Sequence, residues 1–432
     1  MPYIERDRER LLRTLFDCAV DAVSPGRVLP PFLPEVPKGR TVVLAVGKAA
    51  SAMADVAVAN WPGPLSGLVV TRHGHAQASL SRHRNVELIE AGHPLPDRNS
   101  VVGARRALEL AHGLEKDDLA LVLISGGGSA LWCLPIPELS LEDKQRITSG
   151  LLRAGATIGE LNTVRKALSQ IKGGRLAGAA APARVETLII SDVIGDDPAM
   201  IASGPTVGSA GTRADAQAIL SRYRLELPDA VWKAVRERPP PGFDQHRNRC
   251  RIVAAGKDAL DAAEQAASSC GFDVLMLGDA IEGEARDSAA RHAAIAKRVA
   301  ERGLPTVILS GGELTVVVRN RSGIGGPNTE FLLALAIELN GAEGIHAIAC
   351  DTDGIDGVGE NAGAVIRPDT LERARAKGVD PRQALDGSDS FRFFEALGDL
   401  VVTGPTQTNV SDFRAIVIDR GAVQPGESPA QP

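Results

Sequence analysis

Short runs rich in Val, Ile and Leu alternate along the chain with longer Ala-rich segments whose apolar positions recur at helical spacing. Several short runs, such as Leu119-Ala-Leu-Val-Leu-Ile124, are apolar at every position and not at every second one. That pattern belongs to strands covered on both faces, and so to helices packed on both sides of a parallel sheet. Strands are predicted at 41–46, 67–71, 86–91, 119–124 and 186–191 in the first half. The second half adds 251–255, 273–277, 306–310, 314–319, 344–350, 400–403 and 415–419. Helices are predicted at 48–60, 99–112, 141–156 and 161–180, then at 259–271, 281–302, 330–339 and 368–377. The fold class is α/β.

The sharpest break in the pattern is Arg238-Pro239-Pro240-Pro241-Gly242, because consecutive prolines cannot continue a helix and favour a stiff extended connector. It divides the chain into domains at 1–240 and 241–420, in keeping with a length of 432 residues. The tail 421–432, rich in Pro, Gly and small polar residues, is read as disordered. Strand–Gly47–Lys48–helix returns as strand–Gly256–Lys257–helix, and Ser125-Gly126-Gly127 returns as Ser310-Gly311-Gly312. The spacing between the paired motifs differs between the halves, so coincidence explains the echo at least as well as duplication.

Composition removes several classes of function. A net charge of −6 provides no basic excess to release counterions from nucleic acid, so a nucleic-acid partner is not expected. No stretch approaches the roughly 18 to 20 apolar residues of a membrane-spanning helix. The first ten residues alternate charges and lack the apolar centre of a secretion signal. Five widely spaced cysteines, none in a C-x-x-C pair, suit a reducing compartment, and the expected location is the cytoplasm.

The polar, Gly-rich stretches fall at strand carboxyl ends, where ligands collect in open α/β sheets. Ser125-Gly126-Gly127-Gly128-Ser129 reads as an anion cradle, since glycines let backbone N–H groups approach a ligand closely; a plain flexible turn is the alternative. Lys48, at the start of a helix, opposes the helix dipole, a cost that a bound phosphate would offset; otherwise it is a solvated lysine. Asp192, Asp196 and Asp197 crowd one strand end, and hard oxygen donors of this kind suit Mg²⁺, or else form an acidic solvated loop. Ser203 and Thr206 add hydroxyls close behind. Asp351, Asp353 and Asp356 form a second acidic loop, in which Ile355 occupies a ligand position required of an EF-hand and so excludes one. His93 and Asp97 lie on a Pro-spaced loop, where Asp97 or Asn99 would serve equally well as a helix N-cap. Arg165, Lys166, Lys172 and Arg175 put four cations on one predicted helix, either a solvated face or a surface that meets anions. Ser169-Gln170-Ile171-Lys172 fits S-x-x-K, but its mid-helix placement makes the match accidental. Neither a G-x-x-x-x-G-K-[ST] phosphate loop nor a dinucleotide G-x-G-x-x-G is found after a strand, which disfavours a nicotinamide enzyme.

Taken in order, Val46-Gly47-Lys48-Ala49, Gly92–Ser100, Ser125–Leu131, Leu161–Lys166 with Ile171–Gly174, Ser191–Thr206, Ser310–Glu313, Asp351–Gly363 and Thr403–Val410 resemble the glycerate 2-kinase family of MOFRL type, over roughly residues 5 to 418. The resemblance implies a Rossmann-like parallel-sheet N-terminal domain, a smaller α/β C-terminal domain, and ATP-dependent phosphorylation of D-glycerate at its 2-hydroxyl in a cleft between them. It implies ATP and Mg²⁺ or another divalent cation as cofactors and allows a homodimer. Carried onto this chain, Lys48 would hold the transferring phosphate, and the Ser125–Ser129 turn an anionic group of substrate or nucleotide. Asp192 would position or deprotonate the hydroxyl, with Asp192 or Asp197 a metal ligand, and Arg165 would hold the carboxylate. His93, Asp97, Lys172, Ser203, Thr206, Glu313, Asn328, Glu330, Asp351, Asp353, Thr408 and Asn409 complete the expected binding set. The chain departs from the family at Gly325-Gly326-Pro327-Asn328, where an arginine is usual before Asn; either Arg319 or Arg321 substitutes through its long side chain, or the substrate is shifted or activity is lower. The alternatives are a hydroxypyruvate reductase, the family's older label, and a non-catalytic sugar-acid-binding protein.

Overall fold

The computed structural model describes residues 8–208, 213–225, 227–237, 247–320 and 322–419. The Pro-rich connector at 238–242 and the tail 421–432 lie outside the described residues. The chain forms two compact units. Among the described residues, one holds those of Val23–Ala255 together with Gln407–Val410, and the other those up to Ala22, of Gly256–Thr406 and from Ser411 to Asp419.

The first unit is built on six strands, β1 (Thr41–Val46), β2 (Leu65–Arg72), β3 (Val86–Ala91), β4 (Leu119–Ile124), β5 (Arg184–Ile190) and β6 (Asn248–Ala254). They are parallel throughout and ordered β3-β2-β1-β4-β5-β6. Every residue of β1 and β4 is buried, as their unbroken apolar runs require. This is the Rossmann strand order, and the direction of winding reverses between β1 and β4. Val46 stands opposite Ile124, so β1 and β4 run out level with one another, while β2 continues past Val70 to Arg72.

Helices Ala50–Asn60 and Arg98–His112 cover this sheet, and a second small core forms beside it. There Leu141–Arg153, Ile158–Ala167, Arg213–Arg222 and Asp229–Glu237 bury Ile147, Leu151, Leu161, Val164, Leu220, Val231 and Val235 against one another. The helix expected over 161–180 is broken into Ile158–Ala167 and Arg175–Ala180. Between them Ser169 bridges to Pro135, and Gly173 and Gly174 take φ of 62° and 82°, a left-handed pair that no helix continues through. Lys172 therefore lies on a connector and not on a helix face.

The second unit carries β7 (Asp273–Met276), β9 (Thr306–Gly312), β11 (Ile345–Asp351), β12 (Gly363–Ile366), β13 (Leu400–Val401) and β14 (Asp412–Ile418), ordered β13-β12-β11-β14-β9-β7. Only β7 and β9 pair in parallel; the other neighbours are antiparallel. The sheet is thus mixed, where the strand–helix alternation had predicted a parallel one. A short parallel pair, β8 (Gly283–Glu284) and β10 (Leu314–Thr315), stands apart, and the strand expected to continue to 319 ends there with Val317 and Val318 exposed.

The division expected at residue 240 is drawn differently by the fold. β6 lies beyond it, yet pairs with β5 and completes the first sheet. Helix Arg8–Ala22 lies before it, yet packs in the second unit, with Phe16 and Phe413 rings 5.9 Å apart. The pattern also did not indicate helices Arg213–Arg222, Asp229–Glu237, Pro381–Asp386 and Ser390–Leu397, or β12. No helix among the described residues is long and apolar enough to cross a membrane.

Asp97 is the N-cap of helix Arg98–His112: its Oδ1 accepts the Ser100 N–H at 2.9 Å, and Ser100 Oγ accepts the Asp97 N–H at 3.1 Å. Burial alone would raise this carboxyl, but hydrogen bonds from His73, from the Ser100 and Gly92 N–H groups and from the Ser100 hydroxyl bring it down from 3.8 to about 2. The stabilisation is therefore present above the ordinary carboxyl range and is lost as pH falls through it toward 2. Asp97→Ala is expected to cost about 1 kcal/mol at neutral pH. Urea unfolding at decreasing pH should show the gap between wild type and variant narrowing as pH falls from 3.8 toward 2.

Candidate active site

The level ends of β1 and β4 place two turns in contact at the point where the winding reverses. After β1, Gly47 has φ +131°, and a Cβ there would lie 2.2 Å from Ser125 Oγ, so only glycine fits. Its N–H donates to Val70 O, and its carbonyl accepts the Thr71 hydroxyl at 3.0 Å. The Lys48 N–H then donates to Gly126 O at 2.8 Å and the Ala49 N–H to Ser125 Oγ at 2.9 Å. Lys48 and the glycine turn are therefore locked together through their backbones. The helix that follows the turn, Gly128–Leu131, spans a single turn and provides little dipole.

Two glycines of this turn are hemmed in by the side chains that the sequence had singled out. A Cβ on Gly126 would lie 2.0 Å from both Asp192 Oδ2 and Asn409 Nδ2. A Cβ on Gly127 would lie 2.9 Å from His93 Cδ2 and 3.4 Å from Lys48 Cγ. Lys48, His93, Asp192 and Asn409 thus converge on one dipeptide. Asn409 arrives on Gln407–Val410, the short return of the chain into this unit. Thr408 anchors that return by donating to Val23 O at 2.7 Å, and Asn409 Nδ2 donates to Asp192 Oδ2 at 3.0 Å.

Beyond Gly127 lies a cavity of about 410 Å³ whose lining includes His93, Ser129, Lys144, Arg165 and Lys172. Ser129 and Ser203 share a hydrogen bond of 2.8 Å, and the backbone at Ala202, Ser203 and Gly204 has three successive positive φ values of 50°, 61° and 60°. Lys172 is fully buried, with Nζ donating to Ser129 O at 2.9 Å and Ala202 O at 3.4 Å. Burial, reinforced by neighbouring Lys144, holds its ammonium well below the usual lysine range. Thr206 is buried and accepts the Thr187 hydroxyl at 2.9 Å, a structural role.

Other expected residues have different surroundings. Asp197 is exposed and caps the turn ahead of it through the Ala199 N–H at 2.9 Å. Among the described residues no three His, Cys, Asp or Glu side chains converge, so Asp192 and Asp197 do not form a metal cage of their own. In the second unit Asn328 is fully buried, donating through Nδ2 to Asp412 Oδ1 at 2.7 Å, and Glu330 is buried against Arg286 at 2.7 Å. Asp356 accepts the N–H groups of Asn328 and Thr329, both at 2.9 Å, which satisfies the start of helix Pro327–Leu339. Burial pushes the Asp356 carboxyl up to about 6 in spite of those donors. Asn328 and Glu330, expected to bind ligand, are thus buried and bonded within this unit. Asp351 Oδ1 accepts the Asp353 N–H at 2.9 Å, Asp353 Oδ1 accepts the Ile355 N–H at 2.8 Å, and Glu313 is exposed. Pro327 opens its helix, and Arg319, one candidate for the family arginine, approaches Glu284 at 3.7 Å and Asp386 at 3.8 Å. Arg321 lies outside the described residues.

Sequence reasoning missed Lys144 and Cys133. Lys144 sits in an ordinary amphipathic helix among other charges, and the one available signal was its position four residues after the Ser140 N-cap, near the wrong end of a helix for a cation.

A Rossmann-ordered sheet with a lysine and an aspartate facing a glycine turn at its switch point defines a small-molecule enzyme of the α/β class. Residues 11–237 match a domain of unknown function (DUF4147) and residues 306–412 match the MOFRL family. The chain is 39% identical to the D-glycerate 2-kinase of Thermotoga maritima, over 91% of this chain and 94% of that protein. It is 36% identical to human glycerate kinase over 93% of this chain and 91% of that one. A protein of Agrobacterium vitis is 50% identical over 97% and 96% of the two chains and carries, provisionally, the name hydroxypyruvate reductase. The crystal structure of glycerate kinase from Thermotoga maritima superposes with a TM-score of 0.85 at 38% identity, covering 95% of this chain and 99% of that one. The chain belongs to the glycerate 2-kinase family, with its DUF4147 and MOFRL domains.

The three tryptophans, Trp61, Trp132 and Trp232, all lie in the first unit, so their emission reports its unfolding alone. Gly47→Ala is expected to destabilise that unit by about 3 kcal/mol, from backbone strain and the clash with Ser125. A urea titration followed by tryptophan emission should show this as a lowered midpoint.

Proposed function

We propose that this chain catalyses ATP-dependent phosphorylation of D-glycerate to 2-phosphoglycerate, using the machinery gathered around Gly126 and Gly127. The observation that carries this reading is the convergence of Lys48 and Asp192 on adjacent glycines at the sheet's switch point. Phosphoryl transfer needs positioning and charge neutralisation more than covalent chemistry from the protein. The Lys48 ammonium neutralises the oxygens of the moving phosphoryl group. Asp192, steadied on one oxygen by Asn409, accepts the proton of the 2-hydroxyl as that oxygen bonds the γ-phosphorus and the bond to the ADP oxygen breaks. Arg165 holds the carboxylate of the acid in a bidentate pair, and the Ser125–Ser129 turn offers N–H groups to an anionic oxygen.

A divalent cation fits this donor set only as a partner of the nucleotide. Mg²⁺ is usually held by one or two carboxylates together with phosphate oxygens and water, and Asp192 suits that arrangement where a full protein cage is lacking. Bound in that way it would supply charge neutralisation to the phosphates. None of the cysteines Cys18, Cys133, Cys250, Cys270 and Cys350 forms a disulfide, which supports work in the reducing cytoplasm.

The reductase reading finds less support. The turn after β1 contains Gly47 alone before Lys48 and Ala49, and a dinucleotide turn needs further glycines for the pyrophosphate to approach. Lys48→Ala is expected to lower glycerate-dependent ATP turnover by roughly 10²- to 10³-fold, the loss typical of a transition-state donor, with the thermal unfolding midpoint unchanged. NMR of the product should place the phosphoryl group on C2. Oxidation of NADH or NADPH by hydroxypyruvate in place of ATP turnover would overturn the reading.

A further inference from the structure

The cavity beyond Gly127 holds more positive charge than one glycerate carboxylate can balance. Lys144, 5% exposed, and Lys172, 1% exposed, line it with the half-buried Arg165. Among the described residues none of the three is in an ion pair with a carboxylate, and no Asp or Glu lines the space. Lys172 has two carbonyl partners, but Lys144 Nζ is buried with no oxygen partner and only the Cys133 side chain beside it. Burial is the first cause that holds the Lys144 ammonium below the usual lysine range; the Cys133 side chain opposes it, and the nearby Arg165 adds to it. A buried ammonium without a carboxylate partner is one of the costliest groups a fold can carry. The fold nevertheless builds it in, on a helix that packs in its own small core through Ile147 and Leu151. Replacing such a charge by an apolar side chain of like volume generally stabilises a protein, so its retention points to a ligand that completes it.

We propose that Lys144, Arg165 and Lys172 form a binding site for a small-molecule polyanion carrying two to three negative charges, with Lys144 its specificity-determining residue. This deepens the kinase reading and rests on it for the identity of the ligand. Two polyanions of that reaction share the required oxyanion chemistry. One is the phosphorylated acid, whose carboxylate and phosphate together carry about three charges at neutral pH; the other is the phosphate tail of the nucleotide. Glycerate itself, with a single carboxylate, leaves most of the cavity's charge uncompensated. The site therefore holds 2-phosphoglycerate or ADP more tightly than D-glycerate, and Lys144 acts on the affinity of the polyanion and not on the chemical step.

The test is calorimetric titration of the whole chain, wild type and Lys144→Met, with 2-phosphoglycerate, ADP and D-glycerate in turn, together with thermal unfolding of both proteins without ligand. The expected result is an unfolding midpoint in Lys144→Met equal to or above that of wild type, with at least tenfold weaker binding of one polyanion and less than threefold change for D-glycerate. Loss confined to 2-phosphoglycerate assigns the site to the phosphorylated acid, and loss confined to ADP assigns it to the nucleotide tail. Lys144→Arg, which keeps the charge, should recover most of the affinity. Unchanged affinity for both polyanions, or a loss seen with D-glycerate alone, would overturn the proposal. Because these are binding measurements, they are separable from turnover: a wild type that binds 2-phosphoglycerate through Lys144 but does not phosphorylate glycerate would retire the kinase reading and leave the cavity assignment standing.

Discussion

The contact between Gly47 and Ser125 is the constraint on which the first unit's chemistry depends. Two buried strands that end level bring their exit turns within hydrogen-bond reach, and the approach is so close that not even one methyl group can be admitted at residue 47. Backbone bonds from Lys48 to Gly126 and from Ala49 to Ser125 then make one rigid platform from segments 78 residues apart in the chain. A lysine on that platform has its backbone fixed by the sheet and the neighbouring turn. Such positioning is what phosphoryl transfer asks of a protein, since the displaced charge and not a covalent step sets the barrier.

Polar side chains around the platform are of two kinds. Asp192 and Asn409 hold each other, and Ser129 and Ser203 do the same, so these pairs arrive pre-oriented at modest cost. The cations beyond Gly127 are different: Lys144 and Lys172 are buried and Arg165 half-buried, with no acidic counterpart in the cavity lining. The first arrangement supports the fold and the second strains it. Destabilising groups that survive in a folded chain tend to mark the places where function was favoured over stability.

Much of this was legible in the sequence because it is local. Unbroken apolar runs announce doubly covered strands, and a glycine cluster after such a run announces a close approach; β1, β4 and the turns behind them follow directly. What escaped was non-local. Apolar runs look alike whether a strand pairs in parallel or antiparallel, so the mixed second sheet was hidden in the same signal that revealed the first. The break after Ala167 depends on two left-handed glycines and a bridge to Pro135, a partner more than thirty residues away. Asn328 and Glu330 carry side chains typical of binding sites, and only the tertiary fold reveals their burial beside Asp412 and Arg286. Lys144 was overlooked because a charged residue on an amphipathic helix gives no sign of facing inward.

The four-residue return of the chain at Gln407–Val410 has a consequence for how the enzyme is made. The amide that steadies Asp192 is synthesised more than two hundred residues after the aspartate itself, so a ribosome exposes the first sheet, its glycine platform and its lysine long before the last piece of the site exists. For about half of its synthesis the growing chain carries this carboxylate without the Asn409 amide, and the final described strand, β14, follows directly behind that amide.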